Sequence, residues 1–272
     1  MTASVAPGIG PALEALRAPF KPDAAHPFVS DLSVGELVLL EEIGYVPVDV
    51  VSGVGSASWN PQFTTAGTEA DQWGRAIASA VAFARSGIVE ELRAVRADGV
   101  VAMRVELERD HGNLLTCALL GTAVRARKPS APRAPRQPFA TTLSARDFHL
   151  LVRADYRPVG MVVGAAVVGF AARSAAQSLG LARDNVELGD QTTALYSARE
   201  QAMEMLEKEA EELGADGVVE VQLEERPVTS MLTHAVEFIV LGTAVARSDA
   251  GHRPLAPTFQ LTLNDTDSGN GG

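Results

Sequence analysis

The chain has 272 residues, of which 46% are hydrophobic and 21% charged, a composition typical of a globular protein long enough for one large domain or two ordinary ones. Its formal net charge is −11, and basic residues cluster only in one short linker, so the composition disfavours nucleic-acid binding. The single cysteine, Cys117, excludes an internal disulfide and a CxxC motif, which suits a reducing cytoplasm.

The first 25 residues are rich in Pro and Ala, and we predict a disordered tail over residues 1–25. They lack the basic start and apolar run of a signal peptide. Nowhere do the roughly eighteen consecutive apolar residues of a membrane-spanning helix occur. We therefore expect a cytoplasmic protein without a membrane span.

The rest of the chain contains an internal duplication. The segment ADGVV at 97–101 recurs at 215–219, and LGTAV at 120–124 recurs at 241–245. Earlier positions also match, with Phe28, Leu32, Tyr45, Pro47 and Gly53 corresponding to Phe139, Leu143, Tyr156, Pro158 and Gly164. The duplication predicts two domains of the same fold, over residues 26–127 and residues 139–247.

The first element of each repeat that the pattern predicts clearly is a strand. The runs VPVDVVSGVGS (46–56) and RPVGMVVGAAVVGF (157–170) are rich in β-branched residues and interrupted by Gly. Such runs are typical of buried strands with a bulge or a close backbone approach.

A long helix follows in each repeat. Apolar residues recur every three or four positions over residues 193–213, and every corresponding position of the first repeat is also apolar. Thr193 and Ser197 offer capping chemistry at the start of the second helix. Its acidic face is interpreted as solvated. The stripe residues are Leu195, Ala198, Ala202, Leu206, Ala210 and Leu213 in the second repeat, and Ile77, Ala80, Ala84, Ile88, Leu92 and Val95 in the first.

The ADGVV segment links this helix to the next strand. Gly214 is the expected left-handed end of the second helix, whereas Arg96 requires a different or more costly geometry in the first. Asp98 and Asp216 are interpreted as turn residues that accept backbone N–H groups. A hairpin ending in GTAV completes the repeat, which reads β-β-α-β-β. The predicted fold class is α+β, with an antiparallel or mixed sheet and one long helix packed on it in each domain.

Two segments outside the repeats complete the chain. The Pro-rich, basic residues 128–138 are predicted to form an extended linker, and the linker or the tails could contact an unidentified protein partner. Within the tail at 248–272, residues 258–263 keep the Phe-x-x-x-Leu spacing of the two repeats. Phe259, Leu261 and Leu263 are therefore candidate edge-strand residues, either for a neighbouring domain or for an edge of their own chain.

The strand VGMVVGAAVVG, the helix that ends in LGADGVV, and the GTAV hairpin resemble the YbjQ-like family, whose label refers to heavy-metal binding. The first repeat resembles it over the same span but lacks the helix-ending Gly and carries SASWN after its glycine-containing strand. The resemblance implies a compact α+β domain that assembles into rings, with homopentamers in single-domain relatives, and no established reaction. The expected partner is the chain itself, as a pentamer or a multiple. The structural motif positions of the family are Ala97, Asp98, Gly99, Gly121, Thr122, Gly214, Ala215, Asp216, Gly217, Gly242 and Thr243.

The residues capable of chemistry form no recognisable constellation. Neither a nucleophile elbow nor a phosphate-binding loop occurs, so we assign no catalytic or cofactor-binding residue and expect no enzyme. Cys117 lies in the apolar run LLTCALL and is interpreted as a buried thiol. No metal ligand is assigned, and no cofactor is expected. The alternative is a protein that binds a metal or small ligand at domain or subunit interfaces, where symmetry multiplies weak ligands. Its candidate residues are the scattered His26, His111, His149, His234 and His252 and the aromatic Tyr45, Trp59, Trp73 and Tyr156.

Overall fold

A computed structural model describes residues 28–59, 66–109, 113–127, 137–170, 186–229 and 234–248. We refer to residues 28–127 as unit 1 and to residues 137–248 as unit 2. Unit 1 contains α1 (Val34–Glu42), β1 (Tyr45–Ser58), α2 (Ala66–Ala94), β2 (Gly99–Arg109) and β3 (Leu114–Ala126). Unit 2 contains β4 (Phe139–Ala140), α3 (Ala145–Arg153), β5 (Tyr156–Phe170), α4 (Val186–Glu212), β6 (Gly217–Thr229) and β7 (His234–Arg247). The predicted α+β class with two repeated units is confirmed.

The strands form two sheets, one with the order β1-β3-β2-β4 and the other with the order β5-β7-β6. All pairs are antiparallel except β2 and β4, so the first sheet is mixed and the second is antiparallel. The long strands β1 and β5 change register just after Pro47 and Pro158, where the missing N–H interrupts the ladder. Although β4 begins unit 2, it completes the sheet of unit 1.

The long helices pack on their sheets through the predicted apolar stripes. The stripe of α2 is buried along its whole length, and that of α4 is fully buried from Ala198 to Ala210. Glycines in the adjoining strands allow this close packing. A Cβ on Gly53 or Gly164 would lie 2.2 or 1.8 Å from the carbonyl oxygen of Ala84 or Ala202. The glycine interruptions in β1 and β5 therefore mark where the helix backbone rests directly on the strand.

Each unit has a short helix that apolar periodicity did not indicate. Helices α1 and α3 have nine residues each and precede the long strands. Ser33 and Ser144 cap their first turns, accepting hydrogen bonds from the backbone N–H of Glu36 and Asp147. The capping predicted for α4 was wrong, because that helix begins at Val186 and Thr193 lies inside it.

Helix α2 lies between the two sheets. One side of α2 packs on β1 and β3 of its own sheet, and another side packs on β5 of the second sheet. Helix α4 covers the opposite face of the second sheet. One apolar cluster consequently contains residues of both units, including Ile77 and Leu119 of unit 1 and Met161 and Ile239 of unit 2. None of the helices in the described ranges is long and apolar enough to cross a membrane.

Candidate assembly interface

The contact between the two units begins with a segment that lies along the edge of β2. The N–H of Phe139 donates to the carbonyl of Asp98 at 3.1 Å, and the N–H of Thr141 donates to the carbonyl of Val100 at 3.1 Å. In return, the N–H of Ala102 donates to the carbonyl of Leu143 at 2.8 Å. Ala102 has a φ of 52° at a bulge in β2, which turns its N–H towards the incoming chain. Unit 2 therefore extends the sheet of unit 1 by β-strand addition.

Aromatic packing fixes this segment in place. A Cβ on Gly99 would lie only 2.4 Å from the Phe139 ring. Glycine at position 99 therefore leaves room for the ring. Phe139 stacks on Phe148 of α3 with 5.5 Å between ring centroids, and Phe148 makes an edge contact with Tyr45 at 5.1 Å. We call residues 139–153 the docking segment of unit 2, and residues 99–105 the acceptor edge of unit 1.

A second part of the contact joins α2 to the other sheet. The Arg85 guanidinium donates to the carbonyl of Met161 at 2.9 Å and to one carboxylate oxygen of Glu209 at 2.5 Å. The other oxygen of Glu209 accepts the N–H of Val163 at 2.7 Å. In unit 1, the carboxylate of Glu91 accepts the N–H of Ser52 at 2.6 Å in the same way. Arg85 thus connects α2 of unit 1 to β5 and α4 of unit 2.

A compact cluster of aromatic and charged groups lies at the far end of the same contact. Trp59 and Trp73 stack with 4.8 Å between ring centroids, and the Arg109 guanidinium lies 4.4 Å from the Trp73 ring centre. Glu237 of β7 is buried, and burial raises the pKa of its carboxyl, while Arg226, Arg109 and the Trp73 indole oppose this rise. Neither indole N–H makes a hydrogen bond of standard geometry to a residue that the structure describes. Both tryptophans belong to the core between the units.

The two ADGVV segments occupy equivalent turns. The carboxylate of Asp98 accepts the N–H of Ala126 at 2.7 Å, and that of Asp216 accepts the N–H of Arg247 at 2.7 Å. Ala97 and Ala215 donate their N–H groups to Leu92 and Ala210, five residues earlier, which closes the end of each long helix. These residues connect helix to strand in each unit.

The GTAV segments hold residues of their own units in place. A Cβ on Gly121 would lie 2.6 Å from the Val100 side chain, and one on Gly242 would lie 2.5 Å from that of Val218. Both threonines are fully buried: Thr122 donates to Asp31 at 3.0 Å, and Thr243 shares a hydrogen bond with Thr141 at 2.9 Å. Each threonine thus anchors the residues that follow the Phe of its own unit.

The candidate metal ligands are dispersed within the described ranges. Cys117 is buried, and burial raises the pKa of its thiol to about 11, so the thiolate that a soft metal needs is disfavoured. The His149 imidazole contacts the Glu42 carboxylate at 3.1 Å. Across the parts of the chain that the structure describes, no three His, Cys, Asp or Glu side chains are grouped around a possible ion position. The side chain of His234 and the residues His26, His111, His252, Phe259, Leu261 and Leu263 lie outside this description.

Comparison of the units reveals two free surfaces. Residues 217–223 of β6 correspond to the acceptor edge of unit 1, but Val221 is 41% exposed whereas its counterpart Met103 is 3% exposed. Residues 28–42 correspond to the docking segment of unit 2, but Val34 is 79% exposed whereas its counterpart Ala145 is fully buried. Unit 1 therefore presents a docking segment whose Val34 and Val38 side is uncovered, although Leu40 of the same segment is fully buried, and we call it the free docking segment. Unit 2 presents an uncovered edge of β6, which we call the free acceptor edge.

Sequence reasoning did not identify the docking segments as part of the interface. The signal was present as a serine directly after the Phe-x-x-x-Leu motif of each of the two units, followed three residues later by Glu36 or Asp147. This spacing indicates that a helix starts at the serine. The apolar residues that precede the serine are then expected in an extended segment that leads into the helix.

Two comparisons relate the chain to known proteins. A family model, YbjQ_1, described as "Putative heavy-metal-binding", matches residues 156–248, which lie in unit 2. The chain is also similar to the encapsulin nanocompartment protein Rv1762c of Mycobacterium tuberculosis (strain ATCC 25618 / H37Rv). The two are 34% identical over 251 residues, which cover 89% of this chain and 94% of that protein.

Proposed function

Because this chain belongs to the YbjQ-like family, we propose that it is a non-enzymatic protein whose copies join head to tail into a ring-shaped homo-oligomer. One observation carries the proposal: each of the two surfaces that meet inside the chain has a counterpart in the other unit that is exposed, at Val34 and Val38 of α1 and at Val221 of β6. Repeating the internal contact between copies would bury both. Exposed apolar surface of this kind favours association.

Such a contact joins two different surfaces, so it does not form a closed dimer with a twofold axis. Contacts of this type form rings when the rotation closes and filaments when it does not. The family resemblance favours a ring, and the expected size is five copies or a multiple. Since each copy contributes two units, every ring built in this way holds an even number of units.

The proposal is tested by native mass spectrometry of the full chain over a concentration series, with Val38→Asp as the disrupting variant. Val38 is 53% exposed, and its counterpart His149 is buried where the units meet. An aspartate there would be desolvated on docking, so we expect at least tenfold weaker association. Phe83→Asp is the control, because Phe83 is 59% exposed on α2, outside the docking segment. A monomer at every concentration, or equal effects of the two variants, would refute the proposal.

A second candidate function is participation in an encapsulin nanocompartment, favoured by the similarity along 94% of the Mycobacterium tuberculosis protein. In this case we expect the chain, in the cytoplasm, to associate with an encapsulin. Co-expression with an encapsulin followed by density-gradient sedimentation provides the test. Comigration with the large particles supports the association, and sedimentation at the position of the chain expressed alone contradicts it.

The alternative of a metal or small ligand at an interface is favoured by the family description and by the buried Glu237 carboxyl beside Trp73 and Arg109. Native mass spectra of protein treated with Zn²⁺ and of protein treated with chelator separate this alternative from assembly alone. A stoichiometric mass increase that disappears with chelator supports a metal site. An oligomer of identical mass after both treatments contradicts it.

A further inference from the structure

The free acceptor edge of unit 2 reproduces the backbone features that hold the docking segment on unit 1. Glu220 has a φ of 52° at the β6 bulge, as Ala102 does in β2, so its N–H is turned to the same side. Gly217 pairs with Val245 as Gly99 pairs with Val124. A Cβ on Gly217 would meet no atom within 4 Å, in contrast to the 2.4 Å approach of the Phe139 ring at Gly99. The edge has the form of a strand receptor with space for an aromatic ring.

The chain carries a third segment of the required type at a matching distance. In unit 1, residues 125–138 lead from Val124 to the Phe that docks beside Gly99. In unit 2, residues 246–258 lead from Val245 to Phe259, which is shorter by one residue. Because Val124 and Val245 have the same position relative to their acceptor edges, the second linker has to span the same distance. Val124 and Phe139 both pair with Gly99, so the span is about two strand spacings of about 4.8 Å, and thirteen residues at about 3.3 Å each are sufficient.

We propose that residues 259–263 bind the acceptor edge of β6 in the same chain as an added parallel strand. The pairing on β2 gives the expected register: Phe259 lies beside Gly217, its N–H donates to the carbonyl of Asp216, and the N–H of Glu220 donates to the carbonyl of Leu263. The Phe259 ring fills the space over Gly217, as the Phe139 ring does over Gly99. The second sheet thereby gains the mixed four-stranded order of the first.

The short linker favours the chain's own segment over that of a second copy. A tethered segment competes at an effective concentration that reaches about millimolar for short flexible linkers. The free docking segment of another copy must displace it to reach the same edge. The tail would therefore control assembly. This control rests on the proposed function, whereas binding of residues 259–263 to the β6 edge does not. Freeing the edge is expected to strengthen association between copies.

The test is hydrogen exchange of the full chain, measured at a concentration where native mass spectrometry finds monomer. We expect the amides of Glu220 and Val221 to be protected, and Phe259→Asp to accelerate their exchange at least tenfold. Leu255→Asp, a change of the same kind outside the Phe-x-x-x-Leu motif, should leave exchange unchanged. A Leu263→Asp variant provides an independent disruption of the same strand. Unprotected amides in the unaltered monomer, or exchange that neither motif variant changes, would overturn the proposal.

The two proposals fail in different ways. If Phe259→Asp accelerates exchange but no variant associates at any concentration, the tail occupies the edge and the ring proposal fails. If Val38→Asp abolishes association while both motif variants leave exchange of the monomer unchanged, the ring proposal stands and the tail proposal fails. When both hold, Phe259→Asp should shift the concentration for half-maximal association at least tenfold lower, and Leu255→Asp should not.

Discussion

Arg96 and Gly214 end the two long helices with the same left-handed backbone, at φ values of 54° and 68°. Only glycine adopts this conformation without a steric cost, which is about 1–2 kcal/mol for other residues. The Arg96 side chain is exposed, so its removal should cost little packing energy. We expect Arg96→Gly to raise the free energy of unfolding by about 1 kcal/mol and Gly214→Arg to lower it by a similar amount. Chemical denaturation of both variants measures the difference, and a destabilised Arg96→Gly would contradict it.

The buried Glu237 carboxyl should make stability depend on pH. Burial raises its pKa in the folded state, so the folded protein binds the proton more tightly than the unfolded chain does. The contribution of Glu237 to stability should therefore be fully present below the ordinary glutamate pKa of about 4.3 and should be lost as pH rises through the raised pKa. Glu237→Gln should remove this fall and raise the melting temperature at pH 7 but not at pH 4. Glu225→Gln, at an exposed position of β6, is the control; equal profiles for the two variants would contradict the assignment.

At the scale of elements, α2 is the piece that holds the two sheets together. Arg85 is the polar anchor of this packing. Its counterpart in α4 is Met203, and within the described ranges no further sheet packs on the other side of α4, so an arginine there would have no such partners. Arg85→Met keeps the apolar stem and removes the bonds to Met161 and Glu209. We expect a loss of about 1–3 kcal/mol in the free energy of unfolding. Arg93→Met, on the exposed last turn of α2, is the matched control, and an equal loss there would argue against the anchor.

How much of these elements the sequence revealed depended on how their residues are buried. The α2 and α4 stripes were predictable because a helix on a sheet hides one continuous face, with Ala84 and Ala202 at its centre. Helix α1 was not, because Val34 and Val38 are exposed although they are apolar, so its apolar residues do not mark one buried face. The position of β4 was also unpredictable from local pattern. Tertiary packing determines which strands pair, and the sequence around Phe139 does not indicate which sheet this strand joins.

The whole molecule should behave as one cooperative body, since the largest apolar cluster contains residues of both units and β4 completes the sheet of unit 1. We expect a single calorimetric unfolding transition for the intact chain. A protease site inserted at residues 128–138, when cleaved, should leave the two halves bound to each other in size-exclusion chromatography. Separation of the cleaved halves without denaturant would contradict this prediction. A protease site inserted between Asp249 and Ala250 controls for the effects of the insertion.

The crossing of β4 into the first sheet also bears on how the protein is made. Synthesis proceeds from the amino terminus, so residues 28–127 leave the ribosome before the strand and helix that cover their edge exist. During that interval β2 presents unpaired backbone groups and the apolar side chains of Val100, Val101 and Met103, which are fully covered in the finished molecule. The first unit thus cannot complete its fold during translation until the second has begun to emerge. A nascent chain of which only residues up to about 130 have left the ribosome would offer chaperones a binding surface that is covered about twenty-five residues later, once the end of α3 has also emerged.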